Sequence, residues 1–383
     1  MHNFHAFIIC QLSITLQGGG ILKAMKVLLT PLITNPNSDA SYFLSRNLAS
    51  LFAQANYACA ISAPKENHFH HGSLYPCTPI TKPLFLHTTS QRSYEEHLYS
   101  LGALQENTLK KDVDHLLSVC DEYKPDVIVT IDRIAALIVS KIKHIPCYAF
   151  VNHAIYTYTS FDSRTLQGVN ATLSSYHLEQ VFNLKSLYIS CAKRFAFGPI
   201  ETQPLADDWD IVRIGVSSIY PRQKENPQGV YIHFQDIDLS QRKLQKIVRE
   251  AFLGSKENII AYIKGTYSSK EENITFSSSP KEVAIENVKV CIHDGNAYLF
   301  NQCLALGIPQ LIIANHGYLR NHEGLISQRN RFGLCLYEDE FDMASLYEVY
   351  RRLCADSVYK RNAMIMQANT LQYGDLTKIL YYL

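Results

Sequence analysis

The sequence predicts an α/β protein built from two Rossmann-like domains that face each other across a cleft, and three observations carry that expectation. Short apolar runs of buried-strand character alternate with helical patterns along most of the 383 residues. A polar, proline-containing stretch, residues 220–229 (YPRQKENPQG), divides that series into two halves of similar length. Within the second half, residues 288–333 read as a β-turn-α-β unit of the kind that repeats in such sheets.

That unit starts with residues 288–292, a short apolar run of the composition expected for a strand buried on both faces. It breaks at the polar turn His293-Asp294-Gly295-Asn296. Leu299, Cys303 and Leu306 then recur at helical spacing, with Phe300 and Leu304 beside them. Gly307 stands where a helix C-cap glycine belongs, and Pro309 prevents the helix from continuing. Residues 311–314 read as the next strand. A helix that opens at the carboxyl edge of a parallel sheet offers unsatisfied N–H groups and the positive end of its dipole to an anionic phosphate. Many α/β proteins share this unit, so its spacing alone says only that an anion is expected at a helix N-terminus.

Length and composition set the frame. A chain of 383 residues exceeds one ordinary core, which gives an N-terminal extension (1–24), a first domain (25–222), a linker (223–229) and a second domain (230–383). The apolar fraction, 47%, suffices for two cores, and a net charge of +1 argues against nucleic acid as an obligate partner. No apolar run reaches the roughly 20 residues that span a bilayer, so no transmembrane segment is expected, while peripheral membrane contact stays open. Residues 4–16 are moderately apolar, but no Lys or Arg precedes them, which argues against a signal peptide. The ten cysteines form no CxxC pair and no zinc-like spacing, so reduced thiols and a cytoplasmic location are expected.

In the first half, residues 27–31 read as a strand, residues 34–39 as a polar loop and residues 40–54 as an amphipathic helix with Ser38 or Asp39 at its N-cap. Residues 57–63 form the second strand. Residues 64–95 have no clear period, and His68, His70 and His71 within them are read as a solvated cluster rather than a metal site. A helix over 98–120 leads to a strand over 125–132 that ends in Asp132, then to a helix over 135–142 and a strand over 145–151 that ends at Asn152-His153. Asp132 and His153 therefore fall at carboxyl ends of strands, the functional edge of such sheets. Each has a structural alternative, a helix cap for Asp132 and a satisfied hydrogen bond for His153. Further helices are expected at 172–182, 238–252, 340–353 and 359–372, and further strands at 230–234, 259–263 and 274–276.

Taken in order, these segments resemble the GT-B glycosyltransferases, closest to the UDP-glycosyltransferase and macrolide-glycosyltransferase group, with MurG-like enzymes as cousins. The resemblance runs from about Met25 to the C-terminus and is sharpest in the second half. Phe197-Gly198-Pro199, Asp207-Asp208 and Val212-Arg213-Ile214-Gly215 are similar to the family's passage before the linker. Val230-Tyr231-Ile232-His233-Phe234-Gln235-Asp236 resembles its "VYVSFGT" strand and loop, and Ser278-Ser279-Pro280-Lys281-Glu282-Val283 the approach to the donor strand. His293-Asp294-Gly295-Asn296 through Gly307-Ile308-Pro309 is similar to "HGGxNTxxEALxxGxP".

The resemblance implies that this last passage binds the nucleoside diphosphate of a sugar donor. His293 or Asp294 stands where the family has a phosphate-contacting histidine, and Gly295, Asn296 and Ala297 would offer backbone N–H groups at the helix start. Gln302 takes the place of the glutamate that holds the ribose hydroxyls, without its charge-assisted strength. Asn321 and His322 fall near the pair that holds the sugar. The implied chemistry is inverting transfer from a UDP- or dTDP-sugar to a hydroxyl of a small or lipid-like acceptor, with the nucleotide sugar as co-substrate and neither cofactor nor metal. The family's catalytic histidine is missing from the loop 32–39, whereas Asp132 matches the aspartate that orients it. Two substitutes stay open: Asp39 as the base itself, or His153 approaching Asp132. A catalytically decayed auxiliary subunit and a nucleotide-sugar epimerase are the alternatives.

Overall fold

The structure is a computed structural model that describes residues 24–34, 40–80, 92–157, 163–205, 210–215, 225–235, 237–279 and 285–383. Its first half is a seven-stranded sheet of β1 (Lys26–Pro31), β2 (Ala58–Pro64), β3 (Ser73–Cys77), β4 (Val127–Ile131), β5 (Cys147–Phe150), β6 (Lys193–Phe197) and β7 (Ile211–Ile214). The order is β3-β2-β1-β4-β5-β6-β7, and every neighbouring pair is parallel. All five residues of β4 are buried, as its unbroken VIVTI run requires of a strand covered by helices on both faces. One face packs on helices that carry Leu109, Val113, Leu116 and Ile138, the other on the helix Ala40–Gln54 through Leu48 and Phe52.

The second half repeats the plan with β8 (Gly229–Phe234), β9 (Asn258–Ile263), β10 (Ser269–Glu271), β11 (Ile274–Ser277), β12 (Val288–His293), β13 (Gln310–Ala314) and β14 (Gly333–Tyr337). Its order is β10-β11-β9-β8-β12-β13-β14, parallel except for the short edge strand β10. In each sheet the strand order reverses once, between β1 and β4 and between β8 and β12. Ligands of open α/β sheets bind outside the carboxyl ends of the strands at such a reversal.

Most expected elements occur within a residue or two of their expected bounds, and the exceptions have local causes. The helix expected over 98–120 is two, Tyr94–Ser100 and Glu106–Tyr123, separated by a turn around Gly102. The helix expected over 172–182 lies at Ser163–Ser175 instead. β3 emerges from the stretch without period, and the helix Tyr318–Arg329 from a stretch given no element. The last turn, Leu376–Tyr381, follows the second half in sequence but packs on the first sheet, with Leu376 and Ile379 in the core beneath Leu48 and Phe52. Lys378 Nζ donates to the Arg213 carbonyl there, 3.0 Å away. Among the described residues no helix is long and apolar enough to cross a membrane.

Candidate functional site

The helix Tyr318–Arg329, which follows β13, fills the space between the two sheets. Tyr318 and Leu319 leave their own half and join the core of the first, and Tyr318 meets the His97 ring at a centroid distance of 6.0 Å. His322, one turn on, hydrogen-bonds the Thr202 carbonyl through Nε2 at 3.1 Å. Its ring stacks on that of His153, with centroids 3.2 Å apart. His153 opens a short helix after β5, and its Nδ1 lies 3.2 Å from Gln203 Oε1. Burial and, second to it, the neighbouring His322 push the pKa of His153 down to about 3, against the Gln203 hydrogen bond. His322 is lowered as well, again chiefly by burial, against the Thr202 hydrogen bond.

Asp132 closes β4 with φ at +57°, a conformation that aspartate tolerates better than most side chains. Its Oδ1 accepts from the Tyr94 hydroxyl at 2.9 Å, and Tyr94 in turn meets the Tyr188 hydroxyl at 2.7 Å. Burial raises the Asp132 carboxyl, and the Tyr94 hydrogen bond offsets part of that. The pairing of His153 with Asp132 that the sequence left open does not form: Asp132 belongs to a tyrosine chain, and His153 belongs to Gln203 and His322. Asp39 lies outside the described residues.

In the second half, the turn after β12 sits at the reversal point. His293, fully buried, faces inward, with Nε2 at 2.8 Å from Gln310 Oε1. Gln310 Nε2 donates to the Phe300 carbonyl, so its Oε1 is left to accept, which gives His293 the Nε2–H tautomer. Burial lowers its pKa to about 4. His293 is therefore an interior, neutral histidine held by Gln310, whereas Asp294, the other residue expected at the phosphate, turns to the loop after β8. Asp294 is 2% exposed, and its Oδ2 accepts from the Gln235 N–H at 2.6 Å, tying the turn after β12 to the loop after β8.

Gly295 follows at φ +70°, a backbone that favours glycine, and a Cβ there would meet Arg320 Cγ at 2.7 Å. Asn296 caps the helix Ala297–Leu306 by accepting from the Leu299 N–H at 3.1 Å, and Ala297 is its first residue. Tyr298, next on that first turn, packs against Phe43 of the first half at 5.1 Å. Gln302 is nearly buried on this helix, and Asn321 Oδ1 accepts from the Tyr337 hydroxyl at 2.7 Å. A cavity of about 180 Å³ opens at the end of β8, lined by Gln235, Gln241, Leu244 and Lys264 among others. Among the described residues no group of His, Cys, Asp and Glu is arranged to hold a metal.

Two residues of the helix Tyr318–Arg329 that sequence reasoning missed complete this centre. Arg320 lies on Gly295 and pairs with Glu338 at 2.8 Å. Glu323, 4% exposed, leaves its Oε2 without a hydrogen-bond partner among the described residues. Burial holds the Glu323 carboxyl well above the usual range, opposed by Arg320 and reinforced by Asp294.

No protein-family model matches the sequence, and no curated protein matches it. Solved structures match along nearly the whole chain. The spinosyn forosaminyltransferase SpnP is 15% identical over 94% of this chain and 98% of its own, with a TM-score of 0.67. The glycotransferase of kitacinnamycin is 11% identical over the same shares, at 0.71. The spinosyn rhamnosyltransferase SpnG, complexed with thymidine diphosphate, is 12% identical over 94% and 99%, at 0.67. The fold is GT-B. The two-domain GT-B architecture expected from the sequence is thus the one the chain adopts.

Proposed function

We propose that the chain is a nucleotide-sugar-dependent glycosyltransferase that moves a hexose from a UDP- or dTDP-linked donor to a hydroxyl of a small or lipid-like acceptor, with inversion. The observation that supports this most is the end-to-end likeness to glycosyltransferases, one of them complexed with thymidine diphosphate. The helix Ala297–Leu306, opening at the reversal between β8 and β12, supplies the anion-binding end that such a donor needs.

In this reading the amides of Gly295, Asn296 and Ala297 receive the diphosphate, Gln302 the ribose, and Asn321 with His322 the sugar. Arg320, whose stem packs on Gly295 and whose guanidinium pairs with Glu338, is the cation assigned to charge building on the departing diphosphate. His153 is a poor proton acceptor, with its ring against His322 and its pKa near 3, so proton abstraction from the acceptor falls to Asp39. His153 and Asp132 then hold His322 and the Tyr94 chain in place.

A thermal-shift panel with UDP, dTDP and GDP tests donor binding. The proposal expects a rise with UDP or dTDP, and Asp39→Asn should keep that rise while losing transfer. A flat panel, or an Asp39→Asn enzyme with full transfer, would count against it.

A further inference from the structure

Around the turn after β12 the chain already supplies an anion where an anionic ligand is expected. β8 and β12 are the strands between which the second sheet reverses, and the first backbone N–H past β8, that of Gln235, points at the Asp294 carboxylate 2.6 Å away. A bond this short between a carboxylate and an amide N–H is a charge-assisted one. At the adjoining helix start, Asn296 holds the Leu299 N–H in the same manner. Two amides at this edge are thus satisfied by oxygens of the chain itself.

The setting makes that carboxylate expensive. Asp294 is 2% exposed, and the buried Glu323 with its unpartnered Oε2 lies close enough for the Asp294 charge to help raise the Glu323 carboxyl. Arg320 is shared with Glu338. Among the described residues Arg320 faces two carboxyl groups here, Asp294 and Glu338, and Tyr231 and His233 on β8, His293 on β12 and Asp238 are further titratable neighbours. Gln235 also lines the cavity of about 180 Å³.

We propose that Asp294 is a built-in anion that occupies the Gln235 amide in place of the donor's diphosphate and must be displaced when the donor binds. This rests on the nucleotide-sugar reading for the identity of the donor, but not for the presence of an anion site. Asp294 then sets donor affinity by opposing it: its charge repels the diphosphate, and its hydrogen bond occupies a fourth amide at the same edge, beside those of Gly295, Asn296 and Ala297. The role is the opposite of the phosphate-binding one that its position in the sequence implies.

Two substitutions separate the two effects. Asp294→Asn removes the charge and keeps an oxygen for the Gln235 N–H, and Asp294→Ala removes both. Full-length wild type and both variants, checked for unchanged circular dichroism, are titrated calorimetrically at one pH with inorganic pyrophosphate and, separately, with UDP-glucose and dTDP-glucose. Pyrophosphate affinity should rise at least about tenfold in Asp294→Asn, the scale of one charge removed at close range in a partly screened site, and further in Asp294→Ala. Equal or weaker pyrophosphate binding in whichever variant folds overturns the inference. Tighter pyrophosphate binding with no nucleotide sugar bound by any protein upholds it and removes the donor reading. Nucleotide-sugar binding that drops in both variants makes Asp294 a ligand contact and overturns it.

Discussion

The imidazole of His153 stacks on that of His322 with planes 18° from parallel, one ring carried by the first sheet and the other by the helix that enters from the second. Two stacked histidines cannot both be charged at this distance without cost, and burial already favours the neutral form of each. The contact between the halves is thus made of groups that bind protons less readily when folded than when unfolded.

The sign follows from linkage. A histidine whose folded pKa lies near 3, against about 6.5 unfolded, binds fewer protons in the native state throughout that interval. Its stabilising contribution is full above pH 6.5 and is lost as pH falls toward 3, at about 1.4 kcal/mol per pH unit. His293, at about 4, adds in the same direction. Urea unfolding of wild type and of His153→Gln between pH 7 and 4 isolates the first term: the variant should gain on wild type as pH falls.

Glu323 works in the other direction. Its raised pKa means the native state holds a proton that the unfolded state has released above about pH 4.5, so stability declines as pH rises from there. Glu323→Gln keeps the shape of the protonated acid and removes that dependence. Measured from pH 5 to 8, the variant should gain on wild type by up to about 1.4 kcal/mol per pH unit, and a constant difference would show that Glu323 is ionised in the folded protein.

Gly295→Ala places a methyl group 2.7 Å from Arg320 Cγ and 3.1 Å from its Cα, on a backbone at φ +70°. Part of that clash is with main chain, so rotating the arginine away cannot relieve it. A loss of about 1–3 kcal/mol is expected in denaturant unfolding, together with weaker nucleotide-sugar binding as Arg320 shifts.

Tyr318→Ala removes a buried aromatic side chain that one half plants in the core of the other. The cost should be about 3–5 kcal/mol. Calorimetry should then resolve two transitions where wild type has one, because Tyr318 couples the sheets rather than stabilising either alone. One unchanged, lowered transition would mean that the remaining contacts, such as Phe43 with Tyr298, suffice for coupling.

Much of the fold was legible because its strands are buried on both faces. The runs at 127–131, 229–234 and 288–293 are apolar almost without interruption, which few other structures permit. The helix Tyr318–Arg329 was not legible for the complementary reason. Its buried residues include His322, Glu323, Gly324 and Ser327, so no apolar stripe marks it. Gly324 is there because a Cβ would lie 2.5 Å from Cys335 Sγ. That helix carries Tyr318 and His322 into the first half, so this part of the candidate site stayed hidden with it. The signal that could have pointed to it was the cluster Arg320-Asn321-His322-Glu323 just past a buried strand.

At the turn after β12 the difficulty was finer. Successive side chains at a strand end alternate between faces. The sequence marks His293 and Asp294 together without saying which packs against the neighbouring strand. Packing decides it: Gln310 on the neighbouring strand takes His293 inward, and the Gln235 amide takes Asp294.

The central claim is a working donor site, and the most direct measurement is turnover. Full-length protein is incubated with UDP- and dTDP-hexoses and a panel of hydroxyl acceptors, and nucleoside diphosphate release is followed with mass spectrometry of the acceptors. Release of UDP or dTDP, with one hexose added to an acceptor in the inverted anomeric configuration, is the predicted result. Absence of binding, release and transfer with every nucleotide sugar, from protein shown to be folded, would contradict the account.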